Sequence, residues 1–202
     1  MTDEDLKPVL DELQVYEGRV PHMYLDTAEA PNVTVGVGCL IHNVDAALKL
    51  PFHHSGDGVR AAPDEISHDY FRVRAMPGGL LAQKYKGDLR LSDADIDGLG
   101  FTRLRTFLAR LPEVFPAYEA FPVSVKQVLL DLAWNVGLGA PASSAHAATG
   151  LHAWLGLRAS CEARDWLEGA HHCTTANPDH IPAREQRNQW RVSGFRRAAH
   201  IA

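Results

Sequence analysis

Glu17, Asp26 and Thr34 are the residues whose types and order suggest chemistry: two carboxylates and a hydroxyl around a glycine-bearing run, EGRVPHMYLDTAEAPNVTVGVGCL, over residues 17–40. Hydrolysis of a glycosidic bond needs one carboxylic acid that keeps its proton near neutral pH and a second carboxylate that attacks or activates water. Glu17 falls at the predicted C-terminal end of a first helix, where the negative end of the helix dipole and partial burial both disfavour its charged form. Asp26 opens a polar turn and is expected to stay ionised. Thr34, on the neighbouring strand, is placed to hold a water between its hydroxyl and the Asp26 carboxylate, the geometry of an inverting hydrolysis. Taken singly, each residue has an ordinary explanation as a helix end, a turn residue or a strand residue.

Positioning these groups falls to a predicted helix and hairpin. Leu6, Val9, Leu10, Leu13 and Tyr16 recur at helical spacing, Pro8 is tolerable in a first turn, and Gly18 suits the C-terminal close. Segments 23–26 and 33–40 read as two strands joined by the turn-rich TAEAPN. On the second strand Val33, Val35 and Val37 face one way and Thr34, Gly36 and Gly38 the other, which predicts a flat, open face for a bulky ligand. A dinucleotide-binding reading of Gly36 and Gly38 fails, because no third glycine follows at the required offset.

Segment 43–91 carries the loop signals HHSGDG and MPGGL, with Ile66, Tyr70 and Val73 predicting one short helix, and reads as an insertion or lid. Ser92 and Asp95 form a capping-box-like start for a helix carried by Ile96, Leu99, Leu104, Phe107, Leu108 and Leu111, which Pro112 is expected to stop. Segment 121–136 is apolar nearly all round, with Pro122 in the first turn and Gly137 and Gly139 at the end, so it is expected at the buried centre of a helical lobe. Further helices are predicted around Trp154 and Leu155, over 161–167, and from Pro182 onward. The expectation is a single α+β domain over 1–202. A small lobe over 1–91 holds the β-hairpin and the enlarged 43–91 segment, a larger all-helical lobe covers 92–202, and a cleft lies between them.

The composition fits a globular chain: 202 residues, 46% hydrophobic and 22% charged. A formal net charge of -5 argues against a protein that works by coating nucleic acid or anionic surfaces. No apolar run approaches the roughly 18 residues of a spanning helix, and the start MTDEDLKPVL is acidic where a secretory signal would be basic. Neither membrane insertion nor a signal peptide is therefore expected. Cys39, Cys161 and Cys173 are too sparse for a disulfide framework, although Cys161 and Cys173 could pair. From 184 to 197, Arg184, Arg187, Arg191, Arg196 and Arg197 stand against Glu185 alone, which is either a substrate-facing patch or a solvated face.

The run YEGRVPHMYLDTAEAPNVTVGVGCLI resembles the signature of phage-type lysozymes, glycoside hydrolase family 24, in which E-G-x(5)-Y-x-D, a short loop and T-x-G-x-G recur in this order. The matching residues are Glu17, Gly18, Tyr24, Asp26, Thr34, Gly36 and Gly38. The capped helix at Ser92, DLAWNVGLGA over 131–140 and IPAREQRNQW over 181–190 look like later landmarks of that family, so the resemblance covers most of the chain outside 43–91. It implies a lysozyme-like fold and a muramidase that cleaves between N-acetylmuramic acid and N-acetylglucosamine, with inversion in the best understood members of the family. Glu17 would be the general acid, Asp26 the carboxylate across the scissile bond and Thr34 the water-positioning hydroxyl. Leu40, Trp134, Asn135 and Gly137 would form the glycan-holding wall, and Arg184 or Arg187 would meet peptide or lactyl carboxylates. Departures are Cys39, where many members carry histidine, the longer TAEAPN loop, the enlarged 43–91 segment and the acidic net charge.

Other site chemistries fit less well. His171, His172, Cys173 and His180 form the one metal-like cluster, but adjacent histidines cannot face one way on a regular helix, so neither metal nor cofactor is expected. His53 and His54 read as surface residues. Cys39 with His42 as nucleophile and base is disfavoured, because strand residues three apart point to opposite faces. Trp154, Trp166 and Trp190 read as core, while Trp134 abuts the matched motif. The expected partner is peptidoglycan, acted on by a monomer delivered to the periplasm or cell wall. An interbacterial effector, such as a type VI secretion cargo with an immunity protein, is favoured over a phage endolysin. A catalytically silent peptidoglycan-binding module and a chitin- or chitosan-cleaving glycosidase are the alternatives.

Overall fold

Helix α1 (Asp3–Glu17) buries Leu6, Val9, Leu10 and Leu13, the stripe expected from their spacing. Pro8 lies inside the helix and not in its first turn. The computed structural model describes residues 1–26, 32–76 and 87–200. Those residues form a mixed, mostly helical α+β structure with small antiparallel sheets. They divide into two compact units, Glu17–Thr102 and Met1–Tyr16 with Arg103–Ala202. The division differs from the expected break at residue 91. The first helix joins the helical unit as far as Tyr16, and the chain passes between units inside α4 (Asp93–Val114).

In the hairpin unit, β1 (Val20–Leu25), β2 (Val33–Gly36) and β3 (Cys39–Leu40) form an antiparallel sheet in the order β1-β2-β3. The expected single strand over 33–40 is thus two strands. Gly36 and Gly38 adopt φ +66 and +70, left-handed values that turn the chain back so that Val35 pairs with Cys39. The turn ends the period-2 alternation at Gly36, and the expected open face of Thr34, Gly36 and Gly38 does not form. A Cβ on Gly36 would meet Ile96 Cγ2 at 3.3 Å, so a side chain of α4 already lies there.

The described residues of segment 43–91 contribute helices, strands and core side chains. Helix α2 (Val44–Leu48) is capped by Asn43, whose side chain accepts the Ala46 N–H at 2.9 Å. Next come β4 (His53–His54), α3 (Pro63–Arg74) and β5 (Leu89–Arg90), with β4 and β5 paired antiparallel. Phe52, Ile66, Tyr70 and Val73 are core residues, and the Leu91 N–H donates to the Pro21 carbonyl at 2.8 Å, tying the segment to β1. Most of the MPGGL and TAEAPN runs fall outside the described residues.

The capping box at Ser92 and Asp95 forms, with the Asp95 N–H donating to Ser92 Oγ at 3.2 Å. Helix α4 runs two residues past Pro112, because a proline this near a helix end forfeits one internal bond while the helix is already terminating. Arg19 fastens this helix start to β1 through Asp97 at 2.7 Å and Asp93 at 3.0 Å.

The helical unit is centred on α5 (Val123–Val136), preceded by Pro122 and closed by Gly137 at φ +73, as its all-round apolarity predicts. Around it stand α6 (Leu155–Ala163), α7 (Trp166–His172) and α8 (Pro182–Ala199). Helices α5 and α8 approach closely: a Cβ on Gly194 would lie 2.4 Å from Val128 Cγ2. Cys161 and Cys173 are buried free thiols, each pushed up to about 12 by burial. Among the described residues no helix is long and apolar enough to cross a membrane.

Candidate functional site

Glu17 is the last residue of α1 and is half-buried, and Gly18 behind it takes φ +78. That left-handed turn sends the chain from helix directly into β1. Across the sheet, Tyr24 pairs with Thr34 and Thr34 with Leu40. Directly opposed residues on antiparallel strands project from the same face, so these three form one row. Asp26 follows Tyr24 by one strand period and is half-buried.

Asn32, which the sequence reading passed over, ties this row together. Its backbone N–H donates to Asp26 Oδ1 at 3.0 Å and its amide Nδ2 to Oδ2 at 3.4 Å. Its carbonyl accepts the Asp26 N–H at 3.0 Å and the Thr34 hydroxyl at 3.2 Å. The signal was an asparagine closing a turn-rich loop directly before a strand, a position where its side chain and backbone both find local partners. Thr34 is 1% exposed, so the hydroxyl expected to face an open sugar bed is buried and directed to the loop that holds Asp26.

Tyr24 is half-buried in this row. Burial first, then Asp26, Cys39 and Glu17, push its phenol up to about 12. The end of α1, the end of β1 and the start of β3 therefore act electrostatically on one hydroxyl. Leu40, at the far end of the row, is 39% exposed.

The remaining expected residues belong to the helical unit. Trp134 is 7% exposed, with the Arg103 guanidinium 4.5 Å above its ring and Phe107 tilted against it at 6.4 Å. It packs in the core instead of presenting a face for a sugar. Asn135 is exposed, and Gly137 accepts the Leu151 N–H at 3.0 Å. Arg184 is exposed and donates to the Ala176 carbonyl at 3.3 Å.

Arg187 corrects the reading of a basic face. It is buried against Asp131, with Nε 3.0 Å and Nη2 2.9 Å from Oδ1. Arg191, fully buried, meets Oδ2 of the same carboxylate at 2.5 Å and reaches Thr175 and Asn188 at 3.3 Å each. Burial holds Arg191 below the usual arginine range, opposed by the Asp131 charge. The arginine run is therefore divided, with Arg187 and Arg191 turned inward on α8 while Arg184, Arg196 and Arg197 are exposed. An aspartate inside an otherwise apolar helix was the available signal, because a buried carboxylate requires a cationic partner.

Among the described residues no three histidine, cysteine or carboxylate side chains converge as a metal site would. Neither a protein-family model nor a curated protein sequence matches the chain.

Proposed function

We propose that this chain is a glycoside hydrolase of the muramidase type, cleaving between N-acetylmuramic acid and N-acetylglucosamine in bacterial peptidoglycan. The observation that carries this reading is Asn32 bonding both the Asp26 carboxylate and the Thr34 hydroxyl beside the cross-strand row of Tyr24 and Thr34. Glu17 serves as general acid to the leaving oxygen. Asp26, oriented by Asn32, serves as the carboxylate on the other side of the bond and directs water. Asp26 is best suited to this part because two N–H groups of Asn32 hold its carboxylate in one orientation. Arg184 remains the exposed cation for wall carboxylates, since Arg187 is engaged by Asp131. Delivery to the wall is by a secretion machine, as an interbacterial effector with an immunity partner, or by phage lysis.

The test is the clearing of purified wall sacculi, with release of new reducing ends. The unaltered protein is expected to clear them and Glu17→Gln to leave them intact at unchanged thermal stability. Clearing by Glu17→Gln at the unaltered rate would overturn the assignment of the acid, and inactivity of the unaltered protein would overturn the function.

A further inference from the structure

We infer that Tyr24 is a substrate-positioning residue of this site, its hydroxyl donating a hydrogen bond to an oxygen of the glycan held between Glu17 and Asp26. The inference rests on the glycosidase reading above. Three observations support it.

The first is placement: Tyr24 shares the cross-strand row with Thr34 and Leu40, and stands one strand period before Asp26. The second is the fate of the polar hydrogens on that row. The Thr34 hydroxyl hydrogen goes to the Asn32 carbonyl, and the Asn32 N–H groups go to Asp26. Tyr16 and Tyr118 likewise give theirs to Glu12 at 2.9 Å and to the Lys126 carbonyl at 3.5 Å. Tyr24 is half-buried, and its hydroxyl has no hydrogen-bond acceptor among the described residues. A phenol that is partly desolvated yet uncommitted is a donor waiting for an acceptor, and glycan hydroxyl, ring and acetamido oxygens are acceptors.

The third is its protonation. With its phenol pushed up to about 12, Tyr24 remains a donor through neutral pH. It therefore holds the glycan without competing with Glu17 for the proton that the leaving oxygen takes. Phenylalanine at this position would keep the ring's packing and lose the bond alone.

The experiment measures binding of soluble glycan oligomers released from wall sacculi to Glu17→Gln protein, with and without Tyr24→Phe, beside kcat/KM in the otherwise unaltered chain. Loss of one neutral hydrogen bond predicts affinity lower by about threefold to tenfold, kcat/KM lower by at least as much, and an unchanged melting temperature. Equal affinity and equal kcat/KM overturn the role of Tyr24 while leaving the glycosidase reading standing. A fall in melting temperature with affinity unchanged marks Tyr24 as structural and overturns it too. Absence of both cleavage by the unaltered protein and binding by Glu17→Gln overturns the glycosidase reading and this inference together.

Discussion

In the helical unit the Asp131 carboxylate is fully buried and meets two guanidinium groups, whereas in the hairpin unit Asp26 is half-buried and takes hydrogen bonds from Asn32. A carboxylate removed from water between two guanidinium groups is held in one position, so it serves as a structural joint between α5 and α8. A carboxylate that keeps contact with solvent, oriented by N–H groups, stays reachable by water and ligand. Burial and the kind of partner, and not residue type, separate a side chain that holds the fold from one that can do chemistry.

The sharpest way to break that contrast is to exchange the acid. On the proposed muramidase function, Glu17→Gln is expected to lower wall hydrolysis by about a hundredfold to ten-thousandfold, the usual contribution of a positioned general acid, with the melting temperature unchanged. Turbidity loss and calorimetry on the same preparations decide it. The opposite signature is expected for Asp131→Asn. It removes the carboxylate that the fully buried Arg191 meets and costs about 3–5 kcal/mol in denaturant unfolding. A cost near zero there would remove the structural half of the comparison.

Gly194→Val tests whether the helical unit is as closely packed as its buried charges require. The new side chain meets Val128 from α5, and the expected loss is about 1–3 kcal/mol by thermal unfolding. The smallest expected effect concerns a third carboxylate, Asp69 on α3, which is buried in the hairpin unit beside Arg72. Burial first, opposed by Arg72 and His22, raises Asp69 above its ordinary 3.8. A raised carboxylate binds its proton more tightly in the folded state. Its stabilising contribution is therefore full below 3.8 and is lost as pH climbs through the folded value. The stability of Asp69→Asn relative to the unaltered protein should accordingly increase as pH is raised from about 3 through 6. A flat difference across that range would show the burial of Asp69 offset by Arg72 and His22.

Much of the helical unit was legible because its signals are local. The stripe of α1 and the all-round apolarity of α5 each follow from residues within a few turns of one another. The hairpin unit was read less well. VTVGVGCL satisfies strand alternation on paper, yet left-handed values at Gly36 and Gly38 turn it into two strands. Segment 43–91 reads as an insertion or lid because its loop signals outnumber its periodic residues. Phe52, Ile66, Tyr70 and Val73 are nevertheless core, and Leu91 bonds to Pro21 across a separation no local pattern encodes.

For the site, residue order alone determined that Glu17 ends a helix, that Asp26 follows a strand and that a glycine turn lies beyond Thr34. Helix termination and turn formation are short-range events governed by backbone sterics. Only the tertiary structure decided which groups meet. It put Tyr24 in the field of both Glu17 and Asp26, gave Thr34 and Asp26 a common partner in Asn32, and withdrew Arg187 from the surface to neutralise Asp131. Those pairings depend on which buried charges and donors must be satisfied together across the folded chain, and that requirement acts through space and not along the sequence.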